Sequence, residues 1–363
     1  MQKITNFFLL GIVVLSTISC SKDKVGVYNA EISNITDNII IATYTDLDNK
    51  ADLLLTAVEA LKDGGATESE LTAAKEAWRA TRAPWEASEG FLFGPVADNE
   101  IDPNIDTWPL DSIGVETILS GSDVINKAYI DALTGDAGTG LKGFHAIEYF
   151  LWGTDGNRTA ASFTARELDY LVATAESLKG KTAELINAWI STGGDFGAQL
   201  KDNSSRYPTE KDVLVELAEG IRGIAGEVFD TKIQNTLDGI DNNGGDVAAG
   251  IREEESRFSN NTKSDFTNNI QSISNVYLGI YGTGGNGKGL SDVVASNDAV
   301  LDATIKAQIV EAIEAIQNIG GSTSVTYSTA LGSDRASIEL AQTKVSNLET
   351  TISTQLIPLI NGL

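Results

Sequence analysis

The chain has 363 residues, enough for two domains of ordinary size, and carries 51 acidic against 26 basic side chains, a formal net charge of -25. That charge opposes binding to nucleic acid or to an anionic lipid surface. Hydrophobic residues make up 42%, which excludes a wholly disordered chain, and the single cysteine excludes an internal disulfide or a thiolate metal cage.

Residues 1–20 read as an export signal. Lys3 supplies a positive start, Phe7 to Leu15 an apolar stretch too short to span a bilayer, and small residues lead to Cys20 in "LSTISC". This resembles a bacterial lipoprotein signal, with Cys20 as the lipid attachment and residues 21–30 as a tether. No later apolar run is long enough for a transmembrane helix.

The rest of the chain reads as helix. "NIIIATYTDLDNKADLLLTAVEALKDGG" has apolar residues at three- and four-residue spacing and stops at Gly64-Gly65. "TESELTAAKEAWRATRAPWEASEGFLFG" opens with Thr67 and Glu70 in a capping-box pattern, and Pro84 predicts a kink or a new helix start. "PVADNEIDPNIDTWPLDS" is an irregular connection. "VETILSGSDVINKAYIDALTG", "GFHAIEYFLWG" and "TARELDYLVATAESLKGKTAELINAWIST" follow as helices, the last with Gly180 as a weak point. The polar stretch 193–209 is the expected domain boundary. Beyond it come "EKDVLVELAEGIRGIAGEVFDTKI", a glycine- and asparagine-rich turn, "VAAGIREEESRFSNNTKSDFTNNIQSISNVYLGIYG", the loop "TGGNGKG" and two final helices. "TSVTY" is the one short β-like run. The expectation is an all-α protein of two helical bundles of about four helices each, packed side by side, over residues 31–200 and 201–363.

Three constellations can carry chemistry. In "GFHAIEYFLWG" the only histidine, His145, and Glu148 share a helical stripe with Leu141 and Trp152, on a helix apolar nearly all round. A carboxylate buried there must be paired, protonated or bound to a cation; a core histidine bonded to its helix neighbour is the plain alternative. In residues 78–95, Trp78, Arg82, Trp85 and Glu89 share a stripe, and Glu86 and Glu89 are spaced to converge on one ion; an amphipathic helix with an ion pair is the alternative. In residues 253–279, Arg257 follows three glutamates and is placed to neutralise Glu148 or hold an anion; Ser259 or Asn260 as a helix cap is the simpler account. An oxygen-rich set with one imidazole suits iron, manganese, calcium or zinc.

Two other motifs fail. "GTGGNGKG" nearly fits a phosphate-binding loop, but Gly289 stands where Ser or Thr must hold magnesium, so it reads as an interhelix loop. A two-histidine zinc-protease helix is impossible with one histidine, and no nucleophile elbow accompanies a Ser-His-acid set.

"GFHAIEYFLWG" resembles the GxHxxE motif of imelysin-like proteins at Gly143, His145 and Glu148. "WRATRAPWEASEGFLFGPV" and "DTWPLD" resemble that family's first-half blocks, and "ESRFSNNTKSDFTNNIQSISNVYLG" its second-half block. The four blocks span most of the chain after the signal. The resemblance implies an extracytoplasmic protein of two helical bundles with the motif near their interface. The family includes insulin-cleaving membrane proteases and proteins tied to iron regulation and uptake. Related iron-transport proteins carry a paired-glutamate helix similar to Glu86 and Glu89. One departure is Lys263, where the family often has a histidine; a lysine there would repel a cation.

The reading that follows is a lipid-anchored protein of the bacterial envelope, at the outer membrane and facing periplasm or cell surface. It binds a divalent metal or an iron-bearing ligand through Glu86, Glu89, His145 and Glu148, alongside other iron-uptake components and without nucleic acid. Trp78, Arg82, Trp85, Asp111 and Arg257 support the site. The alternatives are a metal-dependent endopeptidase with His145 and Glu148 as catalytic residues, and a non-catalytic adhesion or assembly scaffold.

Overall fold

The computed structural model describes residues 26–282 and 287–363; the expected export signal and Cys20 lie outside them, as do the first four residues of "TGGNGKG". Among the described residues there is no strand, and the "TSVTY" segment is a turn entering a short helix at Tyr327. No helix of the described residues is long and apolar enough to cross a membrane.

Eight helices frame the site: α1 (Ile41–Asp63), α2 (Glu68–Glu86), α3 (Gly143–Trp152), α4 (Ala165–Trp189), α5 (Glu210–Glu227), α6 (Thr262–Leu278), α7 (Ala299–Gln317) and α8 (Arg335–Thr351). In α1 the residues Leu47, Ala51, Leu54, Val58 and Leu61 recur every three or four positions, and all are buried. Each large aliphatic side chain removed from water contributes about 1.5–3 kcal/mol. The helix stops at Gly64, and Gly65 takes a positive φ of 79°. The expected Thr67–Glu70 capping box opens α2.

Helix α1 packs on α2 and α4, and α3 packs on both α2 and α4. Later in the chain α5 packs on α6 and α8, and α7 on α6 and α8. The two sets meet where α6 lies against α2 and α5 lies against the 3-10 turn Glu89–Phe91. One continuous apolar core runs through both. The stretch 193–209, polar in sequence, holds a short helix, Phe196–Lys201, whose Phe196 meets Trp189 edge-on at 4.9 Å.

Three expectations about local structure are corrected. Pro84 does not start a new helix; it stands in the last turn of α2, which ends two residues later. "VETILSGSDVINKAYIDALTG" forms two short helices, Ser112–Ser120 and Lys127–Asp131, separated at the glycine and serine residues. The run around "REEESRFSNN" leaves the helix after Arg252 and re-enters at Thr262, giving a turn segment across 253–261.

Candidate functional site

The core-facing stripe of α2 is Leu71, Ala74, Trp78, Arg82 and Trp85, so a guanidinium occupies a register otherwise filled by apolar groups. Arg82 is fully buried. It pairs with Asp106, with Glu86 Oε1 at 2.6 Å, with Glu255 Oε1 at 2.9 Å and with Asp265 Oδ1 at 3.6 Å. Such a charge is tolerable only because four carboxylates surround it.

Asp106 follows the short helix Ile101–Ile105. One of its oxygens takes Arg82 and lies 3.2 Å from His145 Nε2; the other accepts a bond from Trp85 Nε1 at 2.5 Å. Burial pushes this carboxyl upward, but Arg82 and His145 outweigh it and hold it well below the usual carboxylate range.

Gly143 explains how the imidazole reaches Asp106. Its φ is 76°, and a Cβ there would sit 2.2 Å from the carbonyl oxygen of Ile105. Only glycine lets α3 start this close to the backbone that carries Asp106. All ten residues of α3 are buried. His145 Nδ1 faces Glu148 Oε2 at 3.2 Å. Burial lowers the imidazole pKa, but the bonds to Asp106 and Glu148 lift it to about 9, so it is a cation at neutral pH. Glu148 Oε1 accepts the Ser259 backbone N–H at 2.8 Å and the Ser259 hydroxyl at 2.7 Å. The serine is thus held by the carboxylate rather than the imidazole, which is not the geometry of a Ser-His-acid triad.

Lys232 completes the cluster. It sits in the π-helical turn Val228–Ile233 that continues α5. Its Nζ lies 3.0 Å from Glu255, 3.2 Å from Glu89 and 3.8 Å from Glu86 and Glu227. Glu86 Oε2 also accepts Asn269 Nδ2 at 2.6 Å. Burial pushes Glu86 and Glu89 upward against the pull of the neighbouring cations, and it raises Asp265 to about 6. A cavity of about 220 Å³ reaches this side, lined by Glu89, Asp102, Asp106, Trp108, Glu227 and Lys232 among others.

Six buried carboxylates (Glu86, Glu89, Asp106, Glu148, Glu255 and Asp265) therefore face three buried cations, Arg82, His145 and Lys232. With every carboxyl ionised, an excess of negative charge remains away from water. Protonation or a bound cation must meet it. Two groups of donor atoms lie within 4.8 Å of one another: Glu86 with Glu89 and Asp106, and Asp106 with His145 and Glu255. Glu255 Oε2 is buried and accepts no hydrogen bond. An oxygen-rich donor set of this kind fits a hard or borderline divalent cation.

The structure brings Glu86, Glu89 and His145 into one cluster, but the expected four do not converge as a set. Asp106 is the link between them, and Glu148 turns its oxygens to Ser259 and His145. Glu89 is on the turn after α2 rather than on its stripe. Trp78 and Trp85 are buried; Trp78 Nε1 donates to the Phe144 carbonyl at 3.0 Å. Asp111 lies outside the cluster, capping the helix Ser112–Ser120 through Gly114 N–H. Arg257 does not pair with Glu148; it donates to the Arg252 carbonyl at 3.0 Å and lies over Phe258. Neither Ser259 nor Asn260 caps α6, whose N-cap position is Asn261. Lys263 donates to the carbonyls of Ile319, Ser322 and Val325 at 2.7–3.0 Å, so its charge is spent on three loop oxygens.

Asp106, Lys232, Glu255 and Asp265 were not anticipated. Lys232 had a usable signal: Ile221, Ala225, Val228 and Lys232 follow four-three-four spacing, which sets the lysine in a buried register. Asp106 opens the "DTWPLD" block that Asp111 closes, and nothing in the spacing distinguishes the two acids. Glu255 is one of three consecutive glutamates in an irregular turn and had no periodic signal.

Fold and cluster together define an all-helical protein with a buried carboxylate–imidazole centre assembled from distant parts of the chain. The chain belongs to the imelysin family, whose model matches residues 40–355. It is 25% identical over 362 residues to iron-regulated protein A of Synechococcus elongatus, covering 97% of this chain and 92% of that one. A crystal structure from Parabacteroides distasonis, described as an iron-regulated protein A precursor, superposes with a TM-score of 0.81 at 27% identity, over 92% of this chain and 94% of that one. An imelysin-like protein from Psychrobacter arcticum shares the fold, with a TM-score of 0.70 at 13% identity, over 92% and 95% of the two chains.

Proposed function

We propose that this protein binds a divalent metal ion, or a ligand that carries one, in iron uptake at the bacterial envelope. Glu86, Glu89 and Asp106 would supply the first oxygens, with Glu255 reached through Asp106 and the His145 imidazolium holding Asp106 in place. The observation that carries the reading is the buried carboxylate excess beside a cavity, with donors from three carboxylates within 4.8 Å. The iron-regulated names of two relatives support the iron context. The precursor description of one of them, together with the lipoprotein-like start of this chain, supports export and anchoring through a lipid on Cys20.

Calorimetry with Mn²⁺, Zn²⁺, Ca²⁺ and anaerobic Fe²⁺, paired with anomalous scattering from metal-soaked crystals, tests this. The expected result is one ion at Glu86, Glu89 and Asp106, with affinity at least tenfold weaker in Glu89→Gln. Absence of binding by the wild-type protein to all four ions overturns it.

A further inference from the structure

Lys232 is surrounded as a bound cation would be. Five oxygens from five residues lie within 3.8 Å of its Nζ: Glu255, Glu89, Asn269, Glu86 and Glu227. Two of these, Glu86 and Glu89, belong to the three-carboxylate group with Asp106. The ammonium and a divalent ion would thus draw on the same oxygens. Metal–oxygen bonds are about 2.0–2.6 Å, so an ion held by Glu86 and Glu89 would lie within a few ångströms of Nζ, with two cations repelling each other in a dry site.

Lys232 also has somewhere to go. It lines the cavity, its Nζ lies 5.6 Å from the centre of the Trp108 ring, and Glu227 beside it has a side chain 39% exposed. A four-carbon stem can swing its ammonium toward Glu227 and the cavity without moving the backbone. Arg82 differs: it is wedged among Glu86, Asp106, Glu255 and Asp265, is fully buried and does not line the cavity.

We infer that Lys232 is a tethered, exchangeable counter-ion: its ammonium neutralises Glu86, Glu89 and Glu255 when no metal is bound, and a divalent cation binds by displacing it toward Glu227, whereas Arg82 is permanent. This rests on the metal-binding reading above. Lys232 then lowers metal affinity and stabilises the metal-free protein, so that the site releases its ion without collapsing under its own charge.

The test compares wild type with Lys232→Met, which keeps the stem and removes the charge. With Mn²⁺ as the probe, Lys232→Met is expected to bind at least tenfold more tightly. In chelator it should melt several degrees lower, with Mn²⁺ restoring much of the difference. Equal or weaker Mn²⁺ binding by the variant overturns the counter-ion role and leaves the metal site standing; no binding by either protein overturns both. Should Lys232→Met fail to fold, wild type alone decides. Acetylation of Lys232 by acetic anhydride, read by mass spectrometry, should rise several-fold in saturating Mn²⁺, and an unchanged or reduced yield overturns the displacement.

Discussion

At the His145 end of the cluster, Glu148 is fully buried, accepts both donors of Ser259 and faces a charged imidazole held on its other side by Asp106. At the Glu89 end, carboxylates raised by burial surround a lysine at the wall of a cavity. Asp106 and Arg82 join the two. At the first end Glu148 is held by Ser259 and His145 is paired with a carboxylate on each side, and this end resembles a structural clamp. The second has surplus acid, a mobile type of cation and access. The difference teaches that the GFHAIE segment and the cavity need not coincide: His145 on α3 holds Asp106, and Asp106 lines the cavity.

The largest expected effect breaks the clamp. Glu148→Ala removes the acceptor for Ser259 N–H and hydroxyl and leaves His145 with one carboxylate. Breaking a buried pair by removing one partner costs about 3–5 kcal/mol. Urea unfolding should show that loss, while Mn²⁺ affinity of the folded variant stays within about threefold of wild type. A drop in affinity comparable to that of Glu89→Gln would erase the distinction between the two ends.

A smaller effect comes from pH. The folded pKa of His145 is about 9, above the 6.5 of a free imidazole, so its protonated form stabilises the fold. That contribution is complete below about pH 6.5 and is lost as pH rises through about 9. The groups facing it are Asp106, Glu148 and the opposing cation Arg82. A shift of this size corresponds to roughly 3 kcal/mol. Stability measured by denaturant between pH 6.5 and 9.5 should decline by that order in wild type, and His145→Asn should flatten this part of the profile. Glu254, raised to about 7 by burial, loses its contribution in the adjoining window below pH 7, which helps separate the two.

The helical class was legible because apolar residues recur at helical spacing along nearly the whole chain, and because caps such as Thr67–Glu70 mark starts. Arg82 and His145 were legible as polar residues in buried registers. What escaped is instructive. Glu255 and Ser259 lie in a turn, where no periodicity says which way a side chain points, and the helix expected to run through that stretch is interrupted. Asp106 owes its place to a backbone contact at Gly143, a tertiary distance with no local trace. Lys232 was readable by register alone, yet a single lysine in a helix is ordinarily a surface residue.

The smallest expected effect concerns Asp111, which shares the "DTWPLD" block with Asp106 and looks equally acidic in sequence. Its carboxylate accepts Gly114 N–H at 2.8 Å and caps a nine-residue helix on the surface. Losing an N-cap carboxylate costs about 1 kcal/mol. Asp111→Ala should therefore lower stability by about that amount and leave Mn²⁺ binding unchanged, while Asp106→Asn, five residues earlier, should weaken binding at least tenfold. Equal effects on binding from the two substitutions would show that the block acts as a whole, and the assignment of the site to Asp106 would fall. A clean separation ties the function to the one carboxylate that both ends of the cluster share.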